Sequence, residues 1–217
     1  MARSGKSVVV DVVSDILCPW CWIGKRNLEE ALSKLPADQR DRVEVRWHPF
    51  QLRPHIPKQG APKEPSTPGN PRVGPRLKAA GKAVGIDFTG KTDRTPNTLE
   101  CHTLLHYAAT TAGHSVQNKL QEVIFRQYFT DGVFPDKDGL MAAAEEVGLD
   151  SAAAWEYVED LENQKSVAVE AQKYSEAGVS GVPFFIINGQ PLFSGAQPPE
   201  SFLAALKLAG ESQVSDV

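Results

Sequence analysis

Two of the chain's three cysteines stand three residues apart, in the stretch SDILCPWCWIGKRNL at residues 14–28. Cys18 and Cys21 form a Cys-x-x-Cys pair, a spacing that serves a redox-active dithiol or half of a metal site. A dithiol needs one sulfur that is nucleophilic near neutral pH and a second within disulfide reach. A helix N-terminus provides for both. Its unpaired N–H groups and positive dipole end favour the thiolate, and a spacing of three places the second thiol one turn on. Pro19 suits the first turn of such a helix, where its missing N–H has no helical partner. On this reading Cys18 attacks and Cys21 resolves.

A metal site needs about four ligands. The other candidates are Cys101, His48, His55, His102, His106 and His114, and only His102 and His106 share a helical face, at i, i+4. A zinc-stabilised binding module therefore stays open as an alternative, as does an inert cysteine pair. Far along the chain, GVSGVPFF puts Pro183 directly before a strand. A cis Val182–Pro183 bond is feasible there, although a trans proline at a strand start is the commoner arrangement.

The elements needed to position these residues are legible. Residues 7–13, SVVVDVV, read as a buried strand, and the segment after CPWC repeats Ile23, Leu28, Ala31, Leu32 and Leu35 at near-helical intervals. Residues 43–50 alternate as a second strand, so the chain opens β-α-β with the cysteines at the strand-to-helix junction. Residues 53–75 hold seven prolines and little apolar content, which predicts a loop without regular elements. Helical segments follow, including NTLECHTLLHYAATTAG with Asn97 or Thr98 as N-cap, SVQNKLQEVIFRQYF, DKDGLMAAAEEVG, and one long segment from Asp150 or Ser151 to Gly178. The chain closes with VPFFIINGQPLFSG, a hairpin turning at Asn188-Gly189, and a helix bearing Phe202, Leu203, Leu206 and Leu208.

With 217 residues, 41% hydrophobic and 23% charged, the chain has the composition of an ordinary globular domain. A net charge of −4 argues against nucleic acid as a partner. No stretch approaches the roughly 20 apolar residues needed to cross a bilayer, which argues against a membrane. The first residues lack the pattern of a secretory leader, so a cytoplasmic location is expected, with an organellar one left open.

The strand leading into CPWC, the helical middle and the late GVSGVPFFIINGQPLFSGAQPPESF together resemble the thioredoxin superfamily. More narrowly, with NTLECHTLLHYA and YFTDGVF, they resemble DsbA-type thiol–disulfide oxidoreductases of the FrnE-like subgroup. The resemblance runs from Val8 to about Leu208. It implies a thioredoxin-like α/β fold, β-α-β then β-β-α, with an inserted all-helical subdomain. The halves would occupy residues 7–52 and 178–210, the insertion 53–177 with its proline-rich loop at 53–75, and a frayed tail 211–217. It further implies that Cys18 and Cys21 are the redox pair, and that Pro183 is the cis-proline whose neighbour Val182 offers backbone groups to an extended substrate. Asn97 and His102 would face the cleft, and Trp20 or Trp22 would present an apolar landing surface. Cys101 reads as a buried core residue. Partners would be thiol or disulfide substrates, either proteins or glutathione. No metal or organic cofactor is required, although glutathione is a candidate co-substrate; oligomeric state is left open. Relatives of the 2-hydroxychromene-2-carboxylate isomerase and kappa glutathione transferase type commonly carry serine where this chain has Cys18. A glutathione-dependent isomerase or transferase is therefore the alternative enzyme.

Overall fold

The computed structural model of the chain describes residues 7–67, 69 and 71–212. Residues 213–217 of the expected frayed tail lie outside these. The β-branched run forms β1 (Val8–Ser14), whose Val10, Val12 and Val13 are fully buried. The chain then enters α1 (Pro19–Ser33), a short α2 (Ala37–Arg40) and β2 (Val43–Pro49). β1 pairs parallel with β2, Val8 opposite Val43 and Val13 opposite His48. The hairpin β5 (Phe184–Ile187) and β6 (Gln190–Ser194) joins the other edge of β1, giving the order β2-β1-β5-β6. Asn188 and Gly189 take positive φ at its turn, as the Asn-Gly pair predicts.

The last helix, α9 (Pro199–Ser212), packs Phe202 and Leu206 with Leu28 and Ala31 of α1 and Phe185 of β5. Leu208, expected among its apolar residues, is 65% exposed. Helix α1 is apolar on two sides because it serves two cores. Leu28 and Ala31 face the sheet, while Cys21, Trp22 and Ile23 face the helical insertion.

That insertion holds α3 (Pro75–Ala83), α4 (Leu99–Ala112), α5 (His114–Arg126), α6 (Lys137–Glu146), α7 (Ser151–Glu159) and α8 (Leu161–Glu176). Three details depart from the sequence expectation. The proline-rich stretch carries a two-residue strand, β3 (Ala61–Pro62), antiparallel to β4 (Arg94–Thr95), so the loop is pinned rather than featureless. Helix α5 stops short and continues as a π-helical turn (Gln127–Asp131) closed by Gly132 at φ 84°. The long segment after Asp150 is two helices, because Asp160 leaves helical geometry and its carboxylate accepts from the N–H groups of Glu162 and Asn163 as the cap of α8.

Two charged clusters tie the insertion to the sheet half. Lys25 of α1, 2% exposed, pairs with Glu29 at 2.5 Å and with Glu122 of α5 at 2.9 Å, and the Trp22 indole also donates to Glu122. His48 of β2 lies between Asp11 of β1 and Glu170 of α8, 2.8 Å from each. The Gln117 side chain completes the seam, donating to the Trp47 carbonyl and accepting the Trp47 N–H.

Candidate active site

Cys18 is the N-cap of α1 with extended backbone (φ −92°, ψ 110°), and Pro19 follows at the helix start. The Cys18 N–H donates to the Asp15 carbonyl at 3.0 Å, and the Cys21 N–H to the Cys18 carbonyl at 3.1 Å. Both cysteines are free thiols, Cys18 6% exposed and Cys21 fully buried. This asymmetry sets their chemistry. The Cys21 S–H, then the backbone N–H groups of Cys21 and Trp20, hydrogen-bond the Cys18 sulfur. They hold its pKa below that of an ordinary thiol, against burial and the Asp15 charge. Burial pushes the Cys21 thiol well up, and its Cys18 neighbour adds to that. Cys101 is also fully buried and its pKa is raised by that burial, which makes it inert.

The Val182–Pro183 peptide bond is cis. It faces the cysteine pair directly, since the Cys18 thiol donates to the Val182 carbonyl at 3.3 Å. Gly24 of α1 eases the approach. A Cβ there would lie 3.1 Å from Pro183 Cγ and 3.2 Å from Phe185 Cζ.

A carboxylate passed over in the sequence reading organises the approach to the sulfur. Asp15 is fully buried; one oxygen accepts the Leu17 N–H at 3.2 Å and the other the Leu52 N–H at 2.8 Å. His102, itself buried, donates from Nε2 to the Phe50 carbonyl at 3.0 Å and lies 3.4 Å from Asp15 Oδ1. Nε2 must carry hydrogen, because a carbonyl can only accept. The available clue to Asp15 was an acid inside an apolar run just before the helix.

Beside Cys18 opens a cavity of about 640 Å³, the size of a small-molecule site. Leu17, Leu52, Leu77, Phe88 and Phe129 supply apolar wall, and Lys63, Arg72, Thr92 and Tyr128 supply polar groups. Tyr128 and Phe129 lie in the π-helical turn, a deformation frequent at functional sites.

The profile of the DSBA-like thioredoxin domain family matches residues 9–207. The chain belongs to this family. Among relatives of the DSBA-like chain, YwbO of Bacillus subtilis is 32% identical over 206 residues, covering 92% of this chain and 96% of its own. SCO1869 of Streptomyces coelicolor, described as a probable DsbA oxidoreductase, is 31% identical, with a TM-score of 0.79 over 93% of this chain and 89% of its own. The cytosolic disulfide reductase DsbM of Pseudomonas aeruginosa, solved with glutathione, shares the fold at 19% identity, with a TM-score of 0.65 over 92% of this chain and 98% of its own.

The structure gathers Cys18, Cys21, Val182 and Pro183 at one point of this DSBA-like domain. Trp20 is half-buried against the helical core, with the Arg76 guanidinium 5.6 Å from its ring centroid, and does not line the Cys18 cavity. Trp22 is core, edge-on to Phe88 and stacked with Phe125 and Phe129. Asn97 and His102 do not line the Cys18 cavity. Asn97 donates to the Ile56 carbonyl and accepts the Leu99 N–H, tying the proline-rich strap to α4. His106 turns instead to the Tyr157 hydroxyl at 2.8 Å. Among the described residues, no three His, Cys, Asp or Glu side chains gather as a metal's ligands. No helix among them is long and apolar enough to cross a membrane.

Proposed function

We propose that the chain exchanges disulfides through Cys18 and Cys21 as a cytoplasmic, FrnE-like member of its family, without a metal or organic cofactor. The observation that carries this reading is the pairing of two unlike thiols at one helix start. Cys18 is biased toward thiolate and borders an open cavity, whereas Cys21 is buried and biased toward thiol. The Cys18 thiolate attacks a substrate disulfide, joining one substrate sulfur and expelling the other as a thiolate. Cys21 then gives its proton to the thiolate just expelled, and its sulfur attacks Cys18. The first substrate sulfur leaves as a thiolate, and a Cys18–Cys21 disulfide remains. In the oxidising direction a substrate thiolate attacks that disulfide and the steps reverse.

An extended substrate lies along Val182, next to Cys18, using backbone groups and so binding with little sequence selectivity. Glutathione is proposed as the co-substrate that restores the resting state, a role consistent with the glutathione in the DsbM structure. Replacing Cys18 by Ser should abolish turnover of a peptide disulfide, whereas Cys21→Ser should accumulate a mixed disulfide on Cys18. Full activity in the Cys18→Ser chain would refute the mechanism. Activity that survives loss of Cys21 and depends on bound glutathione would support the isomerase or transferase alternative instead.

A further inference from the structure

The charge of this chain is unevenly placed. Residues 53–91, comprising the proline-rich strap, α3 and the turn after it, carry eight Lys or Arg against two Asp or Glu. That segment is +6, and the remainder of the chain is −10. The segment walls the Cys18 cavity, where Arg53, Lys63 and Arg72 meet a single carboxylate, Glu64, among the lining residues. Lys63 is half-buried; its ammonium donates to Thr92 Oγ1 at 2.9 Å and lies 4.7 Å from the Tyr128 ring centroid, so these partners are neutral. Arg72 donates at 3.4 Å to two backbone carbonyls, those of Glu64 and Gly90. Lys58 is different, being neutralised by Glu100 at 2.6 Å. Burial, and then Arg72, pull the Lys63 ammonium down to about 8 against the charge of nearby Asp93, so a further negative charge brought beside it would relieve both effects. Beyond the cavity the positive charges continue on exposed residues of α3, at Arg76, Lys78 and Lys82.

We infer that this basic strap selects acidic polypeptide segments, whose carboxylates around the reacting cysteine pair with Lys63 and Arg72 in the cavity and with the cations along α3. A polypeptide fits better than a small acidic thiol, because further cations lie outside the cavity on two sides of α3, Arg76 beside Trp20 of the cysteine motif and Lys78 and Lys82 one turn apart on another face, beyond the reach of one small molecule. Positive potential focused at a cleft raises both the encounter rate and the selectivity for anionic partners, and salt screens it. The inference rests on the disulfide-exchange reading for the identity of the reacting sulfur, but binding alone can test it.

The test uses the full chain with Cys18→Ser and Cys21→Ser, and fluorescently labelled decapeptides with serine in place of the central cysteine. Acidic, neutral and lysine-flanked versions are compared by anisotropy. At about 20 mM salt the acidic peptide should bind at least roughly tenfold tighter than the lysine peptide, and most of that preference should vanish near 0.5 M. Lys63→Gln and Arg72→Gln should each weaken acidic-peptide binding by roughly threefold to tenfold, and Lys63→Arg should restore it. Equal binding of acidic and lysine peptides, or a preference that survives loss of both cations, would overturn the inference. Charge-dependent binding of glutathione disulfide without binding of the acidic peptide would overturn it too, in favour of a small anionic thiol. Exchange assays with the unmodified chain separate the two readings. Exchange without charge preference sinks only this inference, and charge-selective binding without any exchange sinks only the redox reading.

Discussion

Replacing His48 by Gln should remove a pH-dependent part of the protein's stability whose size follows from the structure. The His48 ring is 21% exposed and lies 2.8 Å from a carboxylate on either side, Asp11 and Glu170. Burial opposes its charge, but the hydrogen bonds to Asp11 and Glu170 and their charges outweigh it and lift the pKa from 6.5 to about 9. At 1.36 kcal/mol per pH unit, that interval corresponds to about 3.4 kcal/mol. Screening at a partly open site reduces this to about 2–3 kcal/mol. Since the folded pKa lies above the unfolded one, this stabilisation is complete below pH 6.5 and is lost as pH rises through about 9.

The assay is urea unfolding of both chains under reducing conditions at several pH values between about 6 and 10, read as the stability difference between them. The difference cancels the titration of thiols and lysines common to both. The unmodified chain should hold its advantage at pH 6 and lose about 2–3 kcal/mol of it by pH 10. A difference that stays flat across this range would show that His48 is not an imidazolium in the folded protein. The clamp between sheet and α8 would then need another explanation.

Two further substitutions probe the site and the insertion. Gly24→Ala brings a methyl group to 3.1 Å from Pro183 and 3.2 Å from Phe185, a crowding that opposes the roughly 1 kcal/mol of helix propensity it gains, so stability should change little while the displaced Pro183 slows exchange at Cys18; thermal melts and peptide-disulfide kinetics check both. Asp160→Ala removes the cap of α8 and should cost about 1 kcal/mol with no change in the Cys18 thiol's reactivity toward an alkylating probe.

Much of the site was readable from local patterns. The cysteines announced their helix start through Pro19, and the hairpin followed from Asn188-Gly189 between apolar runs, because turn and cap chemistry is encoded within a few residues. What escaped depends on partners distant in the chain. Asp11 alternates with the valines of β1 and shows no partner in the sequence, yet it meets His48 of β2, which Glu170 of α8 holds from the other side. Asp15 and His102 lie 87 residues apart in number and meet only after folding, and His102 does not line the Cys18 cavity. Asp160 sat inside an unbroken helical periodicity, and its capping geometry won over that periodicity. The proline-rich strap looked featureless because Pro and Gly suppress element signals, whereas its two-residue pairing with Arg94 and Thr95 is long-range.

The most direct test of the central claim is the redox equilibrium of the purified chain in graded glutathione buffers, with trapped thiols assigned by mass. One reversible disulfide should join Cys18 and Cys21, with Cys101 remaining a thiol throughout. A potential near about −120 mV would mark an oxidant, and one at or below about −230 mV a reductase. No reversible disulfide at any poise, or one that recruits Cys101, would rule out exchange through Cys18 and Cys21.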